Sequence, residues 1–370
     1  MLSALNHFTI LLFVLKAVTG YTFIIYLASI FGIVIFISQL IRIRQIEYDV
    51  LILIIFSFIG YIFSIVISFD GFLFFPQFIA CIGIAWVIHT HGLNKYIFTI
   101  LFYGLSVYFF ILVFLGIPTY EAFAYSNNYI SVNFINCCIL LYIARTQDST
   151  IKLMPAIICF LISILGLGFG GILSSALLLI LLFSFKLNLS FFGKFLLIVL
   201  FFFTIHILFN FSLYLSFIIE EFRSLLLYFN GNDLIVKLEN IINFSYDYGS
   251  RTVIWSDYLS KLNFMSFIFG SNLNSTFSIA KDALSVGNIH SSFLLMHQRL
   301  GFISLIFFIY ILVGLVKNFK ISYLSFIFLL VILLRGFTDT TFFAASNYDF
   351  ILIYLFLYAF KDKKMKLNVV

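Results

Sequence analysis

Gly287-Asn-Ile-His290-Ser-Ser-Phe-Leu-Leu-Met-His297-Gln-Arg299-Leu-Gly301-Phe-Ile303 is where a long polar loop gives way to an apolar run. His290 and Gly301 stand eleven positions apart, almost three turns of an α-helix at about 3.6 residues per turn. Read as one continuous helix, the stretch puts both on one face, with Leu294 and His297 between them. The histidine then emerges at a membrane surface, and Gly301 gives a neighbouring helix a close approach. A plain membrane helix with a polar wet end accounts for the same residues, so the surrounding chain has to decide.

Outward from that stretch, the 370 residues are 63% hydrophobic and 10% charged, with a mean hydropathy of +1.17. So little polar surface does not cover a water-soluble globule. Apolar runs long enough to cross about 30 Å of hydrocarbon recur along the chain. Helices satisfy every backbone group inside such a run, so the fold expected is all-α: one integral membrane domain over residues 1–370, a polytopic helical bundle. Apolar runs and polar breaks give about twelve spans, near 6–18, 20–41, 50–69, 72–89, 95–117, 128–144, 152–168, 170–185, 191–211, 290–316, 319–335 and 344–360. The first is short and interrupted by Lys16, which makes eleven the alternative count. The 53 Phe are filler for such a bundle and point to no chemistry.

Charge sets the orientation. Arg42, Arg44, Lys95, Arg145, Lys152, Lys186, Lys194, Lys317, Lys320, Lys361, Lys363, Lys364 and Lys366 fall on one side of the alternation. The opposite short turns hold Lys16 and Arg335, beside Asp70, Glu121 and Asp339. The basic side is the cytoplasmic one, with both termini on it and residues 212–289 outside. Positive-inside topology therefore explains the net charge of +6, and no nucleic-acid partner is expected. No cleavable leader is expected either, because Met1–Asn6 lacks a basic start. Cys81, Cys137, Cys138 and Cys159 all lie in apolar runs, which argues against a disulfide framework or a zinc site.

The outer loop keeps helical periodicity and contains no Pro. Leu213–Tyr228 reads as amphipathic, with Glu220, Glu221 and Arg223 on its polar side. Asp233 reads as the cap of a helix to about Asn243, and Ser250 as the cap of a third over 251–262. Phe269-Gly270-Ser271-Asn272 ends the last of them. Helices with apolar stripes there lie at the interface and roof the bundle.

Arg251 follows the Ser250 cap, where free N–H groups and a guanidinium suit an anion such as phosphate. A salt bridge to Asp247 or Asp257 accounts for it equally well. Trp255, one turn on, is an interfacial anchor or a platform for a sugar ring. His290 is a candidate base or acceptor-orienting group, since an imidazole titrates near neutrality; an interfacial hydrogen-bonded histidine is the plain alternative. Arg299 sits at the membrane boundary, where a cation snorkels or lines a polar cavity. Arg335 either pairs with Asp339 or joins it. Several arginines converging on an outward cavity fit a diphosphate. Gly166-Leu-Gly168-Phe-Gly170-Gly171 is no phosphate loop, lacking the following Lys-Ser/Thr, and close helix packing explains it. No Asp-x-Asp motif and no defensible Ser/His/Asp arrangement is present, so neither metal nor cofactor is expected.

His290-Ser291, nine residues and Gly301, with Arg251-x-x-x-Trp255 and the Gly270 turn upstream, resemble the O-antigen polymerase and ligase superfamily of bacterial envelope glycosyltransferases. The motif likeness covers about Arg251 to Ile303; the large outer loop before the last spans extends it to most of the chain. Ser304 stands where that family usually has Gly, Thr or Tyr. Gly168-Phe169-Gly170 stands where members often carry a Ser-Arg-Gly turn, so that arginine is missing. The resemblance implies a glycosyltransferase-C-like bundle in the bacterial inner membrane with its working face periplasmic. The donor it implies is a glycan on undecaprenyl diphosphate, transferred without metal and with inversion. Arg251, with Arg299, Arg335 or Arg223, would neutralise the diphosphate, and His290 would act on the acceptor hydroxyl. Trp255 would bind sugar. A chain-length regulator and a flippase are the partners it implies. The missing arginine and the departure at Ser304 favour a polymerase of O-antigen or capsule repeats over a ligase acting on lipid A–core. A lipid-linked oligosaccharide flippase is the reading from another class, and no repeat relating two halves supports it.

Overall fold

The computed structural model describes residues 2–43, 48–67, 74–117, 123, 127–146, 151–166, 169–190, 192–204, 254–270, 291–339 and 347–360. Among the described residues there are helices and turns and no strand. The helices are α1 (Leu2–Thr19), α2 (Thr22–Ile43), α3 (Tyr48–Ile67), α4 (Phe75–His91), α5 (Lys95–Phe114), α6 (Asn127–Ala144), α7 (Met154–Leu165) and α8 (Phe169–Lys186). They continue as α9 (Phe192–Thr204), α10 (254–260), α11 (Phe264–Phe269), α12 (Ser292–Leu300), α13 (Ile303–Ile321), α14 (Tyr323–Thr338) and α15 (Asp349–Phe360). Eleven of the twelve apolar runs in the sequence correspond to one helix each, and 290–316 holds two, α12 and most of α13. Four, α1, α2, α5 and α13, are long and apolar enough to cross a membrane, and the other eight apolar helices are shorter over the described residues.

Local chemistry sets several boundaries. Proline in the first turn starts α4 and α7, where its missing N–H costs nothing. Asn94 caps α5 by accepting from the Tyr96 N–H. Lys16 does not interrupt α1; its Nζ runs forward to the Gly20 carbonyl at 3.0 Å, meeting the unsatisfied oxygens at the helix end.

The chain divides into two compact units: residues 1–183, 262–275 and 290–370, and residues 184–261 with 276–289. The second unit thus begins well before residue 212 and includes α9, which the apolar pattern alone assigns to the spans. In the first unit, α4, α6 and α15 are buried along nearly their whole lengths. Rows of exposed Ile, Leu and Phe on α2, α5 and α13 are the faces a hydrocarbon solvent covers. The most extensive packing joins α2 to α4. There the backbones nearly touch: a Cβ at Gly83 would stand 2.9 Å from the Gly32 carbonyl, and one at Gly32 2.5 Å from Ala80 Cβ. Small residues permit that approach, and in lipid close packing is what holds helices together. Buried amides add to it. Asn133 donates to the Ala17 carbonyl at 3.1 Å and accepts from Tyr348 at 2.7 Å, and Asn318 donates to the Leu355 carbonyl at 3.0 Å.

One expectation is overturned. Residues 290–316 are not one helix: α12 ends at Leu300, Gly301 takes φ 55°, and α13 starts at Ile303. Gly301 therefore lies outside the helix, and His290 lies outside the described residues. The close approach expected at Gly301 does exist, but the neighbour is irregular backbone rather than a membrane helix. A Cβ there would collide with the Ile268 carbonyl and lie 2.7 Å from the Gly270 nitrogen. The extended run of apolar residues across 301–303 hides this break, because glycine's left-handed conformation leaves no trace in periodicity.

In the second unit, α9 is apolar. In α10, Ile254 and Tyr258 are buried and Trp255 is partly exposed. Asp257 is held by Lys261 at 2.9 Å.

Candidate functional site

The first unit's polar chemistry gathers where α14 ends and α15 begins. Two short helices meet there. Asn263 and Ser266 form a reciprocal capping box that starts α11, and Gly270 ends it with φ 89°. Gly301 ends α12 in the same way. The two ends lock together: Phe302 N–H donates to the Ile268 carbonyl at 3.0 Å, and a Cβ on Gly270 would collide with the Gln298 carbonyl. Neither glycine tolerates a side chain. His297 completes the clasp by donating from Nε2 to the Phe267 carbonyl at 3.1 Å, with the two rings 5.7 Å apart. Burial pushes its pKa down, and the bond to Phe267 opposes that shift. The imidazole is thereby kept neutral, and its role in this clasp is structural.

The start of α12 is fixed from α14. Ser292 donates twice to the Asp339 carbonyl, from N–H at 3.1 Å and from Oγ at 2.7 Å. Asp339's carboxylate accepts from Arg335 at 3.2 Å. Arg335 is 2% exposed and also donates to Thr338 at 2.9 Å and to Ser131 at 3.4 Å. Gly170 and Gly171 make room for this group. A Cβ on Gly170 would collide with Thr338 Oγ1, and one on Gly171 with Ser131. The glycine run thus serves close packing, as its sequence suggests, and what it packs against is a buried guanidinium.

Arg299 lies near the C-terminal end of α12. It is partly exposed, its guanidinium carbon lies 3.9 Å from the Phe74 ring centroid, and it is in electrostatic reach of Tyr61 and Asp349. Asp349 is 1% exposed at the first turn of α15. Gln298, next to Arg299 in sequence, is 3% exposed with neither amide atom hydrogen-bonded.

Of the residues singled out in sequence, Arg299 and Arg335 thus come to opposite ends of one short helix. Trp255 lies in the second unit. His290, Arg251 and Arg223 lie outside the described residues, as do the caps expected at Asp233 and Ser250. Asp257, one of the two partners considered for Arg251, is engaged by Lys261. Sequence reading missed Asp349, Ser292 and Gln298. A lone acid opening an apolar run was the available signal for Asp349; for Ser292 and Gln298 there was none. Among the described residues no three His, Cys, Asp or Glu side chains could hold a metal ion. No family model, no curated protein and no solved structure matches the chain.

Proposed function

We propose that the chain is a membrane glycosyltransferase that polymerises O-antigen or capsule repeats carried on undecaprenyl diphosphate, working at the periplasmic face of the bacterial inner membrane. The observation that carries the reading is the place of Arg335. Gly168-Phe169-Gly170 is where the resembling family often has an arginine, and a Cβ at Gly170 would lie 2.5 Å from Arg335 Nη1. The guanidinium that the turn lacks is supplied from α14. Arg335, paired and 2% exposed, shapes this corner of the fold, and in this reading Arg299 on α12 is the cation that stabilises developing charge on a leaving diphosphate. In this reading His290 orients or deprotonates the acceptor hydroxyl, with Arg251 and Arg223 completing the anion site and Trp255 stacking on sugar.

The test is a deletion in the native host with the surface glycan resolved on a gel, complemented by wild type and by His290→Ala. The expected result is core bearing one repeat and no ladder, restored by wild type alone. Bare core with polymer left on its lipid carrier would make the chain a ligase. An unchanged ladder together with an unchanged capsule would overturn the reading.

A further inference from the structure

Where α1 starts, α2 and α4 finish and α5 begins, two histidines have the place of their hydrogen fixed by their partners. His7 on α1 is 7% exposed. Its Nε2 faces the backbone N–H of Asn94 at 2.8 Å, and its Nδ1 faces the Ser3 carbonyl. An amide N–H only donates and a carbonyl only accepts, so the ring is neutral with its hydrogen on Nδ1. His91 is the last residue of α4. The Arg42 guanidinium on α2, which has no acceptor, donates from Nη1 to His91 Nε2 at 3.0 Å. His91 is therefore also neutral, with its hydrogen on Nδ1 and directed to Thr90 Oγ1 at 2.6 Å.

The turn Gly92-Leu93-Asn94, which joins α4 to α5, is thus held from both ends. His7 ties its last N–H to α1, and His91, the residue before it, is tied to α2. These ties matter because α5 packs chiefly on α6 and α7 and has no extensive contact with α1, α2 or α4. Beside the turn, Phe98 of α5 is buried with its ring 5.9 Å from that of His7. A second proton on either imidazole turns its accepting nitrogen into a donor. Asn94 N–H then meets another N–H, and Arg42 meets a second cation. Both contacts are lost, and at His7 a buried donor is stranded. Among the described residues of the helices packed here, Arg42, Lys95 and Arg145 are the cations at this end, Asp49 in the first turn of α3 is the acid, and His89 is a third imidazole.

We propose that the α4–α5 turn is a proton-sensitive latch, closed while His7 and His91 are neutral and opened when acid protonates them, which frees α5 from α1 and α2. An imidazole ordinarily titrates near neutrality, so modest acidification suffices. In the orientation read from the charges the latch faces the cytoplasm, and it answers to the pH inside the cell. It needs no substrate and stands apart from the transferase reading.

The experiment follows hydrogen–deuterium exchange of the full-length protein in lipid nanodiscs from about pH 8 to about pH 5.5, a range that brackets imidazole titration. Each rate is divided by the intrinsic rate at that pH. Protection of the peptide from Gly92 to Phe98 is expected to fall about tenfold across the range, the scale of one hydrogen bond, while that of α13 stays level. His7→Gln keeps a donor and an acceptor on a side chain that does not titrate, and His91→Gln does the same opposite Arg42 and Thr90. Each variant is expected to remove part of the pH dependence, and the two together all of it. If one does not fold, the other and the wild-type titration still decide. Protection of the turn that ignores pH in the wild type overturns the latch. So does an equal fall in α13, or a wild-type slope retained in whichever variant folds.

Discussion

Arg335 and Arg299 are two arginines in the last turns of α14 and α12, and the fold uses them differently. Arg335 is closed in. Three side chains receive its N–H groups, two glycines on α8 are spent on making room for its neighbourhood, and it is 2% exposed. Arg299 rests on an aromatic face, with Asp349 and Tyr61 acting on it electrostatically, and keeps part of its surface open. A cation wrapped in short, directional bonds is part of the framework. The first fixes where α12 begins; the second lies near that helix's other end.

The sharpest way to break this contrast is Arg335→Ala. It leaves the Asp339 carboxylate buried without its cation, which costs about 3–5 kcal/mol. The expected outcome is loss of folded protein in detergent, read by size exclusion and a thermal melt. Pairing it with Asp339→Asn should recover much of the loss, since the stranded charge is then gone. Full stability in the single variant would deny Arg335 its framework role.

Next comes the clasp between α11 and α12. Gly301→Ala forces a side chain into a left-handed residue and against the Ile268 carbonyl. Strain of this kind is worth about 1–3 kcal/mol, with more from the collision, so a clear drop in melting temperature is expected. Gly104→Ala is the control, because a Cβ there meets nothing within 4 Å and alanine favours a helix.

Arg299→Gln should cost little stability, about 1 kcal/mol for one cation–π contact, and should nevertheless stop chain extension in the complementation assay. Equal losses of folding and function at Arg299 would erase the difference from Arg335. These predictions also mark what the sequence made legible. Twelve apolar runs and the suspicion of an Arg335–Asp339 pair were readable, because hydropathy and an i, i+4 spacing are local properties. The break at Gly301 and the pair of hydrogen bonds from Ser292 to the Asp339 carbonyl were not. Both depend on backbone from a distant stretch arriving at one point, and a glycine in an apolar run gives no notice of it. Asp349 stood in plain view as a lone acid, but its electrostatic link to Arg299 joins two helices distant in sequence.

The smallest effect separates the clasp from both arginines by pH. His297 is neutral in the fold, donating to Phe267, and burial holds its pKa below the usual histidine value. The unfolded chain takes up a proton near pH 6.5, whereas the folded one resists until lower pH. The unfolded state therefore binds more protons in that interval, and stability falls as pH drops through and below about 6.5. A melt followed from pH 7.5 to 5 should show this slope in the wild type and a shallower one in His297→Gln, whose amide can still donate to Phe267. Arginine stays charged throughout this range, so Arg299→Gln should retain the wild-type slope. A slope unchanged in His297→Gln would move the titration elsewhere and leave the clasp as a purely backbone device of Gly270 and Gly301.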